Sequence, residues 1–268
     1  MPVECKEIVS AMEKIAPTIL AEEWDNSGFL IGNKNKQIEK ILFALDATSE
    51  VIEEAIKVKA DMIITHHPLI FKAVKSITNE TLGGRIYKLI QNDICLYCAH
   101  TNFDIVFGGT NDILAQKLGL KNIDILEVEK EYQGKKYGIG RIGILEKETE
   151  FLEYIDILKN ILGLKRVNVI GDLDRKIKKV ALCTGSGSDY IEAAYKNNAD
   201  LYISGDVRFH DGQKLQELNL CFADITHYHS ENLAMPVLKE YLEKELKNND
   251  LKVEMLLSNV NGEIFKSI

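Results

Sequence analysis

Short apolar runs alternate with stretches of helical periodicity from one end of the chain to the other. Residues 41–45, 62–65 and 94–99 are compact apolar runs of strand length. Residues 49–59, 82–91 and 111–118 carry the three-to-four-residue spacing of amphipathic helices. The second half repeats the alternation, with strands predicted over 180–183, 201–204 and 220–223 and helices over 189–196, 213–218 and 231–247. Strands that alternate with helices predict βαβ units and a mostly parallel sheet, hence an α/β fold. Residues 41–65 also align without a gap onto 180–204 at a constant offset, pairing Ile52 with Ile191, Glu53 with Glu192, Ala55 with Ala194, Ala60 with Ala199 and Asp61 with Asp200. This predicts two related α/β lobes from an internal duplication, although any two βαβ units share some patterning. A glycine-containing, alternating stretch separates the copies. The expected organisation is a lobe over residues 1–126, a hairpin-like connector over 127–148 and a second lobe over 149–268.

Composition narrows the function classes. The chain has 268 residues, 46% of them hydrophobic and 28% charged, enough for a core that needs no metal to fold. A formal charge of −8 argues against a broad nucleic-acid surface. A small anionic substrate stays possible, because a bound dication supplies positive charge locally. The charged start and the lack of a long apolar run predict neither a secretion signal nor a membrane span. Five cysteines, an odd number, suit reduced thiols and a cytoplasmic setting. Cys95 and Cys98 fall inside a predicted strand, so buried thiols are favoured there over a zinc pair.

The histidines carry the chemistry. His66 and His67 end one predicted strand, and Pro68 breaks the chain behind them; the bland alternative is a surface pair. His100 and Asp104 follow a second strand, with a turn cap and a ligand-orienting histidine as the alternatives. His227 and Glu231, four apart, share one face if a helix opens by His227; otherwise Thr226 or Ser230 caps the helix and Glu231 only favours its N-terminus. His229 points elsewhere on that geometry. Nitrogen and oxygen donors without thiolate suit a hydrolytic or Lewis-acid centre better than a structural zinc site. The turn 184–189 is rich in glycine and could offer amides to a phosphate, but it lacks the ending of a P-loop. Trp24, the sole tryptophan, reads by composition as a packed aromatic beside a turn.

Five motifs in order, Trp24-Asp25-Asn26-Ser27-Gly28, Ile64-Thr65-His66-His67-Pro68, His100-Thr101-Asn102-Phe103-Asp104, Gly205-Asp206 with His210, and His227-Tyr228-His229-Ser230-Glu231, resemble the Nif-three-like dinuclear metal-centre family, the type-2 GTP cyclohydrolase I homologues. The resemblance implies two α/β lobes with a dinuclear metal site in the cleft between them, and a homohexameric ring. It places the family's metal ligands on His66, His67, Asp104, His227 and Glu231, with His100 nearby as a candidate acid or base. It implies two divalent ions per chain, zinc, iron or manganese, and a small-molecule substrate such as a nucleotide. Some longer relatives carry a domain inserted between the lobes, for which this chain is too short. Thr226 departs from a glycine common at that position. A metal-dependent hydrolase is therefore expected; a non-catalytic metal carrier or regulatory protein, or a structural ring tied by metals, are the competing readings.

Overall fold

The protein is described here by a computed structural model covering residues 3–265. The outermost residues of the two predicted lobes, 1–2 and 266–268, lie outside the described residues. Contacts divide the chain into two compact units. Unit 1 holds residues 1–103 and 234–262, and unit 2 holds 104–233 and 263–268.

Unit 1 begins with β1 (Val3–Glu4), α1 (Cys5–Ile15), β2 (Gly28–Ile31), β3 (Gln37–Ile38) and β4 (Lys40–Ala44). It continues through α2 (Ser49–Val58), β5 (Met62–Thr65), α3 (Thr81–Gln91) and β6 (Cys95–Cys98). Helix α2 starts where the Thr48 hydroxyl accepts from Val51 N–H, and it stops at Lys59, whose φ of 57° is left-handed. Leu42, Ala44 and Ile63 pack with Val51, Ile52 and Ala55 of α2 and with Ile86 and Leu89 of α3. Their neighbours Ile41, Phe43, Met62 and Ile64 are buried as well. Burial on both faces explains why these strands read as continuous apolar runs.

Short helix α4 (Thr101–Ile105) leads into unit 2. There follow α5 (Thr110–Lys117), β7 (Lys121–Tyr132), β8 (Lys135–Glu150), α6 (Phe151–Leu162), β9 (Asn168–Ile170), β10 (Lys176–Ser186) and α7 (Ile191–Lys196). Then come β11 (Leu201–Gly205), α8 (Phe209–Glu217), β12 (Cys221–Asp224) and α9 (His227–Glu231). Leu114, Leu118, Phe151, Tyr154, Val180, Leu182, Leu201 and Ile203 belong to one buried cluster within this unit. After α9 the chain returns to unit 1 with α10 (Ala234–Lys247) and β13 (Glu254–Leu257).

The sheets are mixed, which corrects the expectation of mostly parallel strands. Their orders are β13-β4-β5-β6-β2 in unit 1 and β7-β8-β10-β11-β12-β9 in unit 2. The central neighbours run parallel: β13, β4, β5 and β6 in one sheet, β10, β11 and β12 in the other. Antiparallel pairs flank them: β2 with β6, β9 with β12, and β8 with both β7 and β10. The cause at β7-β8 is local. Gln133 and Gly134 have φ of 51° and 72°, the two positive values of a tight type I′ hairpin, which can only join antiparallel strands. The stretch expected as a connector is thus part of the unit 2 sheet, with Ile142 opposite Ala181.

The predicted helix over 231–247 is instead two helices, α9 and α10, parted at Asn232–Leu233. Pro236 explains the restart. In a continuous helix its ring would clash with the carbonyl four residues earlier, whereas in the first turn of α10 its missing N–H removes a donor that has no intrahelical partner anyway.

Candidate metal centre

In unit 1 the parallel strands β4, β5 and β6 end side by side, and each end contributes. Beyond β5 the chain turns sharply: Thr65 Oγ1 donates to the His67 carbonyl at 2.8 Å, and His67 N–H donates to the Leu45 carbonyl at 2.9 Å. The turn lets two consecutive histidines serve one place, which a continuing strand would forbid. The rings of His66, His67 and His100 lie with centroids 5.1, 5.2 and 5.6 Å apart. Each offers one ligand atom, and the three atoms all lie within 4.8 Å of one another.

The other ring nitrogen of each histidine is held by an oxygen. His66 Nδ1 donates to the Ala99 carbonyl at 2.7 Å, His67 Nδ1 to Asp46 Oδ1 at 2.9 Å, and His100 Nδ1 to Asp25 Oδ1 at 2.8 Å. Such acceptors place the proton on Nδ1 and the lone pair on Nε2, the form in which imidazole binds a metal, and they fix the ring's direction. Asp25 is itself held by Thr101 Oγ1 at 2.6 Å and Ser27 Oγ at 2.7 Å. Burial pushes its carboxyl up, but the bonds from His100, Thr101 and Ser27 outweigh burial and hold it well below the usual carboxylate range.

Unit 2 holds the other candidates. His227 opens α9, so His227 and Glu231 do share a face, with Nε2 and Oε2 3.0 Å apart. His227 Nδ1 donates to Asp206 Oδ2 at 2.8 Å, repeating the arrangement of unit 1. Glu231 is only 3% exposed, and a carboxylate so buried is costly unless a cation or donors meet it. Room for it comes from Gly185, with φ of +68°, where any Cβ would overlap the Glu231 carboxylate. Ser230 ties this turn to α9: its hydroxyl accepts from Gly185 N–H at 2.8 Å and donates to the His227 carbonyl at 2.7 Å. The amides of Gly185 and Gly187 are bonded to Ser230 and Ser204, so the turn does not present them to a phosphate. Asp104, also buried, accepts from the Thr110 hydroxyl, while Asn111 links the Asp104 carbonyl to the Thr184 amide at 3.1 and 3.0 Å. Burial, then the charges of Asp104 and Glu231, push the Cys183 thiol well up.

The remaining histidines are engaged elsewhere. His210 Nδ1 bonds Gln213 at 2.9 Å on the exposed start of α8. His229 Nδ1 lies 2.8 Å from the Thr226 hydroxyl and 3.2 Å from Glu263. Cys95 and Cys98 are buried thiols, as their strand position suggests. Sequence reasoning missed Asp25 and Asp46 as imidazole acceptors and took Asp206 only as part of a polar turn. The available signal was position, since Asp46 and Asp206 each follow a strand end by one or two residues.

These donors fit a divalent metal: locked imidazoles and buried carboxylates, with no thiolate, form a borderline-to-hard set. Comparison with known proteins shows the family. A family model described as Duf34/NIF3 (NGG1p interacting factor 3) matches residues 3–263. A Clostridium perfringens protein named GTP cyclohydrolase 1 type 2 homolog is 43% identical over 263 residues, covering 98% of each chain. A Clostridium acetobutylicum protein of the same name is 36% identical over 267 residues, covering 99% of each. Among solved structures, a Bacillus cereus protein related to NIF3 superposes with a TM-score of 0.94 at 27% identity over the full length of both chains. HcgD from Methanocaldococcus jannaschii superposes with a TM-score of 0.81 at 34% identity, covering 97% of this chain and 99% of its own.

Proposed function

Because the chain belongs to the Duf34/NIF3 family, we propose that it is a metal-dependent hydrolase acting on a small molecule, in particular a nucleotide. Its ligands would be His66, His67, Asp104, His227 and Glu231, binding two divalent ions per chain. The observation that carries this reading is the shared state of four imidazoles. His66, His67, His100 and His227 each donate from Nδ1 to a backbone or carboxylate oxygen, which orients Nε2 as the donor atom. Zinc, iron and manganese all suit this set. When bound, such ions polarise the bond to be cleaved and lower the pKa of water toward neutrality.

The protein's own residues divide the remaining work. Asp46 and Asp206 hold His67 and His227 in register. His100, steadied by Asp25, is placed to give or take a proton beside His66 and His67. Gly185, having no Cβ, leaves room for the Glu231 carboxylate. The named activity suggested by the relatives is opening of the guanine ring of GTP. Metal-loaded protein should turn over GTP in an assay where a known cyclohydrolase serves as control, and His100→Ala should slow turnover by about a hundredfold or more without emptying the metal site. Intact GTP beside an active control would remove that activity.

One observation favours a metal carrier instead: the His67 and His227 side chains are 21% and 35% accessible, so an acceptor can reach them. Transfer of metal to an apo-acceptor, with no turnover of any nucleotide, would select this reading. A homohexamer is proposed on family resemblance alone, and sedimentation tests it.

We also propose that the two units descend from one duplicated segment. Register supports it: Ile41 lies opposite Met62 as Val180 lies opposite Leu201, at the offset read from sequence. Asp61 accepts from the amides of Glu39 and Lys40, and Asp200 from those of Lys178 and Lys179. Gly32 lies against Cys95, and Gly171 against Cys221, with φ of 120° and 114°.

A further inference from the structure

We propose that Trp24 and Phe71 form a platform on which the planar heteroaromatic ring of the substrate stacks, beside the histidines of unit 1. The proposal rests on the hydrolase reading for its nucleotide, but not for the platform itself. The sole tryptophan of the chain is not packed, as its composition suggested; it is 58% exposed, and Phe71 is 46% exposed. Their ring centroids are 5.7 Å apart at an interplanar angle of 49°. Trp24 also meets His100 edge-on, with centroids 6.1 Å apart, so one end of the platform abuts the imidazole cluster.

Two features make this a prepared surface. Asn26 Nδ2 donates to the Ile70 carbonyl at 2.6 Å, which ties the Trp24 turn to the Phe71 loop. Asp25, the residue next to Trp24, is fixed by His100, Thr101 and Ser27. Two large aromatics held partly in water beside a polar cluster are unfavourable in isolation, and such patches mark binding surfaces. Ring-on-ring stacking is the contact they are built to make, because every planar base offers a π face and Trp and Phe bring little rotamer freedom to lose. A purine suits this geometry: stacked on Trp24, it would lie next to His100, the group proposed to move protons.

The test uses the full-length, metal-loaded protein and its intrinsic tryptophan emission, which reports on Trp24 alone. GTP and guanosine should quench it saturably, and ribose 5-phosphate, which lacks the ring, should not. By calorimetry, Trp24→Ala should weaken GTP binding about tenfold or more, and Trp24→Phe should restore most of it. Metal content should match the parent in both variants. Absence of saturable quenching, or unchanged affinity in Trp24→Ala, overturns the platform. So does an emission shift with protein concentration alone, which would put a second copy of the chain on this surface. Saturable GTP binding by the metal-loaded protein without turnover keeps the platform and removes the hydrolase reading, so the two failures are distinct.

Discussion

Thr226 has φ of 63° and ψ of 153°, a region that glycine occupies readily and other residues almost never. It holds that shape immediately before His227 while its hydroxyl accepts from His229 N–H at 3.4 Å. Strain of this kind costs on the order of 1–3 kcal/mol, and replacing a hydroxyl cap by glycine costs only a few tenths. Thr226→Gly should therefore stabilise the protein by about 1 kcal/mol, whereas Thr226→Ala keeps the strain, loses the cap and should destabilise it by about 1 kcal/mol. Denaturant midpoints of the two variants decide; equal loss in both would remove strain from the account. At Gly185 the prediction concerns metal. Gly185→Ala would push the Glu231 carboxylate aside, and bound metal should fall although the fold persists. Asp25 gives a pH dependence. Its folded pKa is depressed, so the stability it contributes is present above its unfolded value of about 3.9 and is lost as pH falls through the folded value. The melting-temperature gap between the parent and Asp25→Asn should be widest above about pH 4 and should close at more acid pH. A gap that widens with acid would refute that assignment.

At the scale of elements, the βαβ cores were legible because burial on both faces leaves unbroken apolar runs such as Met62–Thr65. The edge strands were not. β2 and β9 are four and three residues long, and their place beside β6 and β12 depends on distant pairing. The clustering of His66, His67 and His100 was legible because these histidines follow apolar runs directly. Their acceptors were not, because whether Asp25 reaches His100 across 75 residues is a property of the fold. The break between α9 and α10 was legible in principle, through Pro236. If Pro236 sits in a first turn, Pro236→Ala should change stability by less than about 1 kcal/mol, while Glu240→Pro, inside α10, should cost about 3 kcal/mol or more. A gain of about 3 kcal/mol from Pro236→Ala would instead place the proline inside one continuous helix in solution.

For the molecule as a whole, composition sets useful limits. A charge of −8 with buried carboxylates at Asp104 and Glu231 concentrates negative charge that divalent cations would offset. No helix among the described residues is long and apolar enough to cross a membrane. The two contact units do not follow the chain's halves: α10 and β13, read from sequence with the second lobe, belong to unit 1. β13 pairs in parallel with β4, a neighbour more than 200 residues earlier that no local pattern could reveal. A ligand that binds only the folded protein stabilises it by mass action, so a chelator should lower the melting temperature and added metal should restore it.

Metal analysis of protein purified without chelator or affinity nickel, alongside His67→Ala, decides whether the chain holds a dinuclear centre. About two divalent ions per chain are expected in the parent and clearly fewer in the variant, whose imidazole donor is gone while Asp46 remains. No stoichiometric metal in either protein would contradict a dinuclear centre.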